Sequence, residues 1–285
     1  MVSFTKMHGL GNDYLFIDVR AKDQKSDLYW RDLAIAMSER HFGVGADGII
    51  LIDTAQVSGA LAKMRIFNAD GSESEMCGNG LRAMVKWLYD RGQWQENAGI
   101  ETGAGILYPE ILSVEGHRAR RIRVNMGRPR WTRGALGMTG DSQASALKTQ
   151  LEVDHVMWPV ACVSMGNPHV MLFGPLWDVE TMARRGSQIE NHPAFRHRTN
   201  VHSVEVVAAN HLRMRHWERG AGLTLACGTG VSAALVAAVV NEGAARIARV
   251  EVPGGELVAE WEESSGNVYL TGTAQEVCEG EFELR

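Results

Sequence analysis

The sequence predicts a mixed α/β fold, rich in sheet and poor in helix, built as two homologous halves. Three observations carry this expectation. Short apolar runs bounded by glycine, asparagine and aspartate recur along the chain, as strands and their turns do. Only four segments have helical periodicity. The chain also repeats its own motifs at an offset of 150 residues.

Taken in order, strands are expected at 2–7 and 14–19 and a helix over 27–41. The next stretch, "GVGADG" (43–48), matches G-x-G-x-x-G. A dinucleotide site needs a strand before that motif and a helix after it. Here helical "DLAIAMSERHF" precedes and strand-like "GIILID" follows, so the motif reads as a helix cap and turn. Strands follow at 48–53 and 62–68, then a helix at 79–91 closed by Gly92. "IETGAGILYPEI" predicts strand–turn–strand over 98–102 and 105–113, with another strand at 119–125. The aperiodic, Gly/Ser-rich 127–145 reads as a linker or long loop. Beyond it, strands are expected near 151–155, 158–165, 169–174, 200–208, 211–218, 248–252, 256–262 and 267–274. Helices are expected near 178–190 and 229–242, the latter closed by Gly243.

The internal repeat is read without gaps. "MRIFNADGSESEMCGNG" from Met64 lies over "MRHWERGAGLTLACGTG" from Met214. Both open on Met-Arg, place an aromatic at Phe67 or Trp217, and end Cys-Gly-x-Gly ahead of an apolar helix. Gly11-Asn12 faces Gly166-Asn167 at a similar offset. Several blocks in one order indicate two repeats, not a solenoid. The expected halves are 1–125, carrying Cys77, and 126–272, carrying Cys227.

Bulk properties exclude several classes. With 285 residues, 45% hydrophobic and 22% charged, the chain has core enough for one large or two ordinary domains. A net charge of -5 gives no reason to expect nucleic acid or an anionic membrane as partner. The N-terminal stretch lacks the apolar run of a signal peptide, and "AALVAAVV" (233–240) is too short to span a bilayer. A cytoplasmic location with reduced thiols is expected. None of the four cysteines forms C-x-x-C, and His8, His41 and His169 fit no metal-ligand spacing, so no metal site is expected. Cys162 and Cys278 read as structural.

Cys77 and Cys227 differ from these. Each stands where a helix begins, followed by glycines that let backbone N–H groups approach a ligand. The unpaired N–H groups of a helix N-terminus lower a thiol's pKa and bind anions. Each half therefore offers an activated thiol beside an anion-binding nest. Two acid–base groups approaching one carbon from opposite sides can invert it, one as thiolate and the other as thiol. Oriented N–H donors can stabilise the carbanion, and no cofactor motif is visible. Asn12, Asn68, Asn167, Asn200 and Arg219 suit the amine and carboxylate groups of an amino acid.

At these residues the chain resembles the diaminopimelate epimerase family. The stretches that carry the resemblance are "KMHGLGNDY", "RIFNADGSE", "CGNGLRA", "SMGNPH", "ERGAGLTLACGTG" and "VPGG". The resemblance implies two pseudo-symmetric α/β halves, each a mixed, mostly antiparallel sheet wrapped round a central helix. It also implies that the last strand, about 273–285, returns to the first half. The implied activity is cofactor-independent interconversion of LL- and meso-2,6-diaminopimelate, in lysine and peptidoglycan precursor biosynthesis, by a homodimer. Cys77 and Cys227 become the acid–base pair, and Asn12, Asn68, Asn167, Asn200, Glu218 and Arg219 become substrate contacts. Gly78, Asn79, Gly228 and Thr229 form the nests, and His169 and Glu218 tune the thiols. Gly48 departs from the glutamine some members have there. The rival readings are an epimerase of the same fold acting on proline or another amino acid, and a non-catalytic amino-acid-binding module. Two retained thiols speak against the second.

Overall fold

The computed structural model describes residues 1–21 and 25–284. The elements run β1 (Val2–Gly9), β2 (Asn12–Asp18), α1 (Asp27–Ser38), β3 (Gly48–Asp53), β4 (Ala60–Asn68), β5 (Glu73–Ser74), α2 (Gly78–Asp90), β6 (Gly99–Thr102), β7 (Gly105–Leu107), β8 (Glu110–Glu115) and β9 (Arg118–Asn125). They continue with β10 (Thr149–Val153), β11 (Val156–Ser164), β12 (Pro168–Phe173), α3 (Val179–Glu190), β13 (Asn200–Ala208), β14 (His211–Glu218), β15 (Gly222–Thr224), α4 (Gly228–Glu242), β16 (Ile247–Val252), β17 (Gly255–Trp261), β18 (Val268–Gly272) and β19 (Gln275–Phe282). The chain divides into two compact units, Met1–Val124 with Gly272–Arg285, and Asn125–Thr271. Among the described residues no helix is long and apolar enough to cross a membrane.

In the first unit the sheet runs β19-β1-β2-β3-β4-β6-β7, with β5 folded back on β4. Pairs β2/β3 and β4/β6 are parallel, and each is bridged by a crossover containing a helix. The others are antiparallel. The second unit repeats the pattern. In β11-β12-β13-β14-β16-β17, pairs β12/β13 and β14/β16 are parallel, the rest antiparallel, and β15 folds back on β14. The repeat seen in the letters is thus a repeat of strand order, direction and helix placement.

Among the described residues each unit has one surface α-helix and one central α-helix. α1 is capped by Ser26, whose hydroxyl accepts from Tyr29 N–H, and it buries Trp30, Leu33, Ala34 and Met37 against Leu15, Ile17, Ile49, Leu51 and Phe67. Each large apolar side chain so buried contributes about 1.5–3 kcal/mol. α3, capped by Asp178, likewise buries one face. In contrast, α2 is buried from Gly78 through Leu88 and α4 from Gly230 through Ala238. A helix buried all round is a core element. The alanines, serine and glycine of α4 let strands close on it from every side. Both central helices end beside a left-handed glycine, Gly92 (φ +70°) and Gly243 (φ +69°).

Three expectations need correction. α1 stops at Ser38, not at 41: Glu39 leaves the helical region and its carboxylate accepts from the N–H groups of His41 and Phe42. The strand expected over 105–113 is two, β7 and β8, broken at Pro109, which has no N–H to pair. The stretch 127–145 is no free linker. Arg130 bridges Ser164, Met138 bridges Phe195, and Leu136 and Met138 are buried in the second unit's core.

Candidate active site

In the first unit, β5 turns back along β4 and delivers Cys77 to the N-cap of α2, in extended backbone. The Cys77 sulfur accepts from Gly80 N–H at 3.4 Å and its thiol donates to Asn12 Oδ1 at 3.5 Å. Asn12 is held from behind, its Nδ2 donating to Asp47 Oδ2 at 2.8 Å, which turns its carbonyl oxygen toward the thiol. Asn79 Nδ2 donates to the same oxygen at 3.3 Å. Asn68 lies apart from this chain of bonds and donates to the hydroxyls of Ser72 and Ser74. Gly48 pairs with Asn68 on one side and Tyr14 on the other. A Cβ at Gly48 would stand 2.3 Å from Phe67 O, so this backbone admits no larger residue there.

In the second unit, β15 delivers Cys227 to the N-cap of α4. Its sulfur lies 3.7 Å from Thr229 Oγ1 and interacts with Glu218. The parallel register of β12 and β13 sets His169 beside Asn200. Asn200 accepts from Arg219 N–H at 2.9 Å, and the Arg219 side chain donates to His197 O. Asn167 Oδ1 lies 2.9 Å from His169 Nε2. Gly228 O accepts from Ser232 Oγ at 3.0 Å.

The helix-end donors expected at both cysteines are in place, but the expected lowering of the thiol pKa is not. Burial pushes the Cys77 thiol up, and the hydrogen bonds from Gly80, Tyr14 and Asn79 only partly offset it. Burial pushes Cys227 well up, and the negative charge of Glu218 adds to this. Desolvation of a small anion outweighs one or two N–H donors. Both groups are thiols at neutral pH in this state. A groove of about 610 Å³ elsewhere on the first unit holds none of the predicted residues. Its lining includes the ion pairs of Lys63 with Glu101 at 3.0 Å and of Arg65 with Glu73 at 2.8 Å.

The family description "Diaminopimelate epimerase" matches residues 4–132 and 161–277 of this chain. The chain belongs to that family. It is 44% identical over 286 residues to the diaminopimelate epimerase of Pelotomaculum thermopropionicum, covering 99% of both chains. It is likewise 44% identical to diaminopimelate epimerase 1 of a Nostoc species, covering 99% of both, and 43% identical to the enzyme of Acetivibrio thermocellus, covering 99% and 98%. Among solved structures it resembles a probable proline racemase from Agrobacterium radiobacter, with TM-score 0.70 and 15% identity over 100% of this chain and 94% of that one. A hydroxyproline epimerase from Agrobacterium vitis is similar at TM-score 0.69 and 15% identity, covering 98% and 90%. At such identities the likeness concerns the fold.

Four residues near the cysteines of this family member escaped the sequence reading. Tyr14 is buried, shares a strand face with Asn12, and its hydroxyl reaches both Cys77 and Asn12. The alternation of β2 after Asn12 was the available signal. Arg82 is fully buried and reaches Asn79. His202 and His216 are fully buried and continue a chain of imidazoles from His169. Their alternation along β13 and β14 places them inward, but only strand register makes them neighbours.

The two cap glycines are not equivalent. A Cβ at Gly230 would stand 2.4 Å from His202 Cε1 and 3.1 Å from Cys227 Sγ. His202 is pinned between two other rings and cannot swing aside. At Gly80 the nearest atom is Ile50 Cδ1 at 2.5 Å, the free end of a flexible chain. Gly230→Ala is therefore expected to cost about 1–3 kcal/mol of stability. Gly80→Ala is expected to be near neutral, since alanine's helix preference of about 1 kcal/mol offsets the repacking. Equal losses in thermal unfolding of the two variants would show that His202 is not pinned.

Proposed function

We propose that this chain interconverts LL- and meso-2,6-diaminopimelate with Cys77 and Cys227 as the two proton carriers and with no organic cofactor. One observation carries the reading. Each unit seats a cysteine at the N-cap of its central helix, in a chain that matches curated diaminopimelate epimerases from end to end.

In one direction a thiolate removes the α-proton and the opposite thiol supplies a proton to the other face. The stereocentre inverts, one thiolate is consumed and one is made, and the charge balances. In the reverse direction the two cysteines exchange roles. The electron pair left on carbon spreads into the α-carboxylate, where the N–H groups at the two helix ends stabilise it. Asn12, Asn68, Asn167, Asn200 and Arg219 hold the amine and carboxylate groups, and Glu218 and His169 set the proton affinity of Cys227. Because burial holds both thiols above their ordinary pKa, the form with one cysteine ionised is scarce at pH 7. The fraction of enzyme with one thiolate and one thiol, and with it kcat/KM, is expected to rise as pH rises from 7 and to fall once both thiols ionise.

The test is incubation of the dialysed, reduced protein with LL-diaminopimelate in D₂O. The expected result is meso product carrying α-deuterium. Activity that dialysis removes and pyridoxal phosphate or a metal restores would overturn the reading.

A further inference from the structure

We propose that His169, His202 and Cys227 form a binding site for a borderline-soft divalent cation such as Zn(II) or Co(II), and that occupation captures the Cys227 sulfur. All three side chains are buried, and one ligand atom from each lies within 4.8 Å of the others. They come from β12, β13 and the start of α4. The ring nitrogens turned toward each other are His169 Nδ1 and His202 Nε2, 2.9 Å apart. A tetrahedral zinc with bonds of about 2.0–2.1 Å to nitrogen and about 2.3 Å to sulfur separates its ligand atoms by about 3.3–3.7 Å. The site therefore needs the imidazoles to part by a few tenths of an ångström and the sulfur to close on them. Two imidazoles and one thiolate favour zinc, cobalt or copper over magnesium or calcium.

The surroundings already hold both rings. Ligand histidines usually have their second nitrogen fixed by a neighbour. His169 Nε2 lies 2.9 Å from Asn167 Oδ1, and His202 Nδ1 lies 3.1 Å from His216 Nδ1. All three imidazoles are fully buried and bonded to one another and to the Asn167 amide, so each is neutral and carries one proton. Asn167 Oδ1 can only accept, so His169 is protonated at Nε2. His169 Nδ1 then accepts from His202 Nε2–H, and His202 Nδ1 accepts from His216 Nδ1–H. Among the described residues His216 Nε2 has no hydrogen-bond partner. The row thus ends in a lone pair that accepts no hydrogen bond, and this is what lets it yield to a cation. His216 moves its proton from Nδ1 to that vacant Nε2, and His202 moves its proton from Nε2 to Nδ1. His169 Nδ1 and His202 Nε2 both become free lone pairs, with no histidine proton lost. Cys227 releases its thiol proton to solvent, one per ion bound, and a water completes the fourth position.

The experiment titrates the reduced, full-length protein with Co(II). The expected result is a thiolate-to-cobalt charge-transfer band that saturates at one equivalent, releases one proton and is displaced by Zn(II). Cys227→Ser is expected to abolish the band, and His202→Gln to weaken binding at least tenfold. His216→Gln keeps all three ligands but alters the support of His202, and is expected to weaken binding roughly 10- to 100-fold. If His202→Gln fails to fold by circular dichroism, the other two variants decide. No band at one equivalent, or an undiminished band in Cys227→Ser, overturns the site. The consequence for catalysis rests on the two-thiol reading: Zn(II) is then expected to stop epimerisation until a chelator removes it. A saturated cobalt band with undiminished epimerisation would sink that reading and leave the site standing.

Discussion

Cys77→Ala and Cys227→Ala are each expected to lower epimerisation by at least 10²- to 10⁴-fold, the usual worth of a positioned acid or base. Neither change should disturb the fold. The Cys77 sulfur accepts one long N-cap hydrogen bond, and the Cys227 sulfur receives only a weak contribution from Gly230 N–H, so the helices lose little. In the proposed two-thiol mechanism the catalytic loss is large because the two faces of the carbon are served separately. With one thiol gone, the other can still remove and return a proton on its own face. Each variant is therefore expected to exchange the α-proton of one epimer with D₂O without inverting it, and the two variants should choose opposite epimers. That pattern assigns each cysteine to its face. Near-normal turnover in either variant would remove that cysteine from the mechanism, and exchange of both epimers by one variant would mean a single base serves both faces.

How much of this was legible in the letters differs between fold and site. The duplicated order was readable because Cys-Gly-x-Gly, its preceding hairpin and its following helix recur together, and the strand directions then repeat with them. β5 and β15 were not read, because two and three residues carry no periodicity. The packing of 127–145 was hidden because its buried residues, Leu136 and Met138, sit among glycines and polar residues without a period. In the site, the cysteines and asparagines stood in recognisable stretches. The environment of each thiol did not. Desolvation depends on what surrounds a sulfur in space, so a helix N-terminus in the sequence suggested an acidic thiol where burial makes a weak one. The His169–His202–His216 row was invisible for the same reason, since strand pairing alone brings positions 33 and 14 residues apart into contact.

Arg82→Met is expected to stabilise the protein and impair it at once. Arg82 lies on the buried central helix α2 with no solvent exposure. Its Nη2 donates to Asn79 Oδ1 at 2.5 Å, and among the described residues Nε and Nη1 have no partner. Burial pushes its pKa down to about 10, with only the charge of an ionised Cys77 acting the other way. The sign follows from linkage. A base whose folded pKa lies below its unfolded value penalises the folded state at every pH below the folded pKa, and the penalty fades only as pH rises through about 10. At pH 7 it is fully present, on the order of 3 kcal/mol. Methionine keeps the unbranched apolar stem and removes the charge and the unpaired N–H groups, so thermal unfolding is expected to shift upward by roughly 5 °C or more. Such a cost persists in a fold where the charge has work to do. The cation favours thiolate at Cys77. Without it, the acidic limb of the kcat/KM–pH profile should move to higher pH and turnover at pH 7 should fall, while Arg82→Lys retains part of both. A variant that is destabilised, with an unmoved pH profile, would mean that Arg82 serves packing and not the thiol.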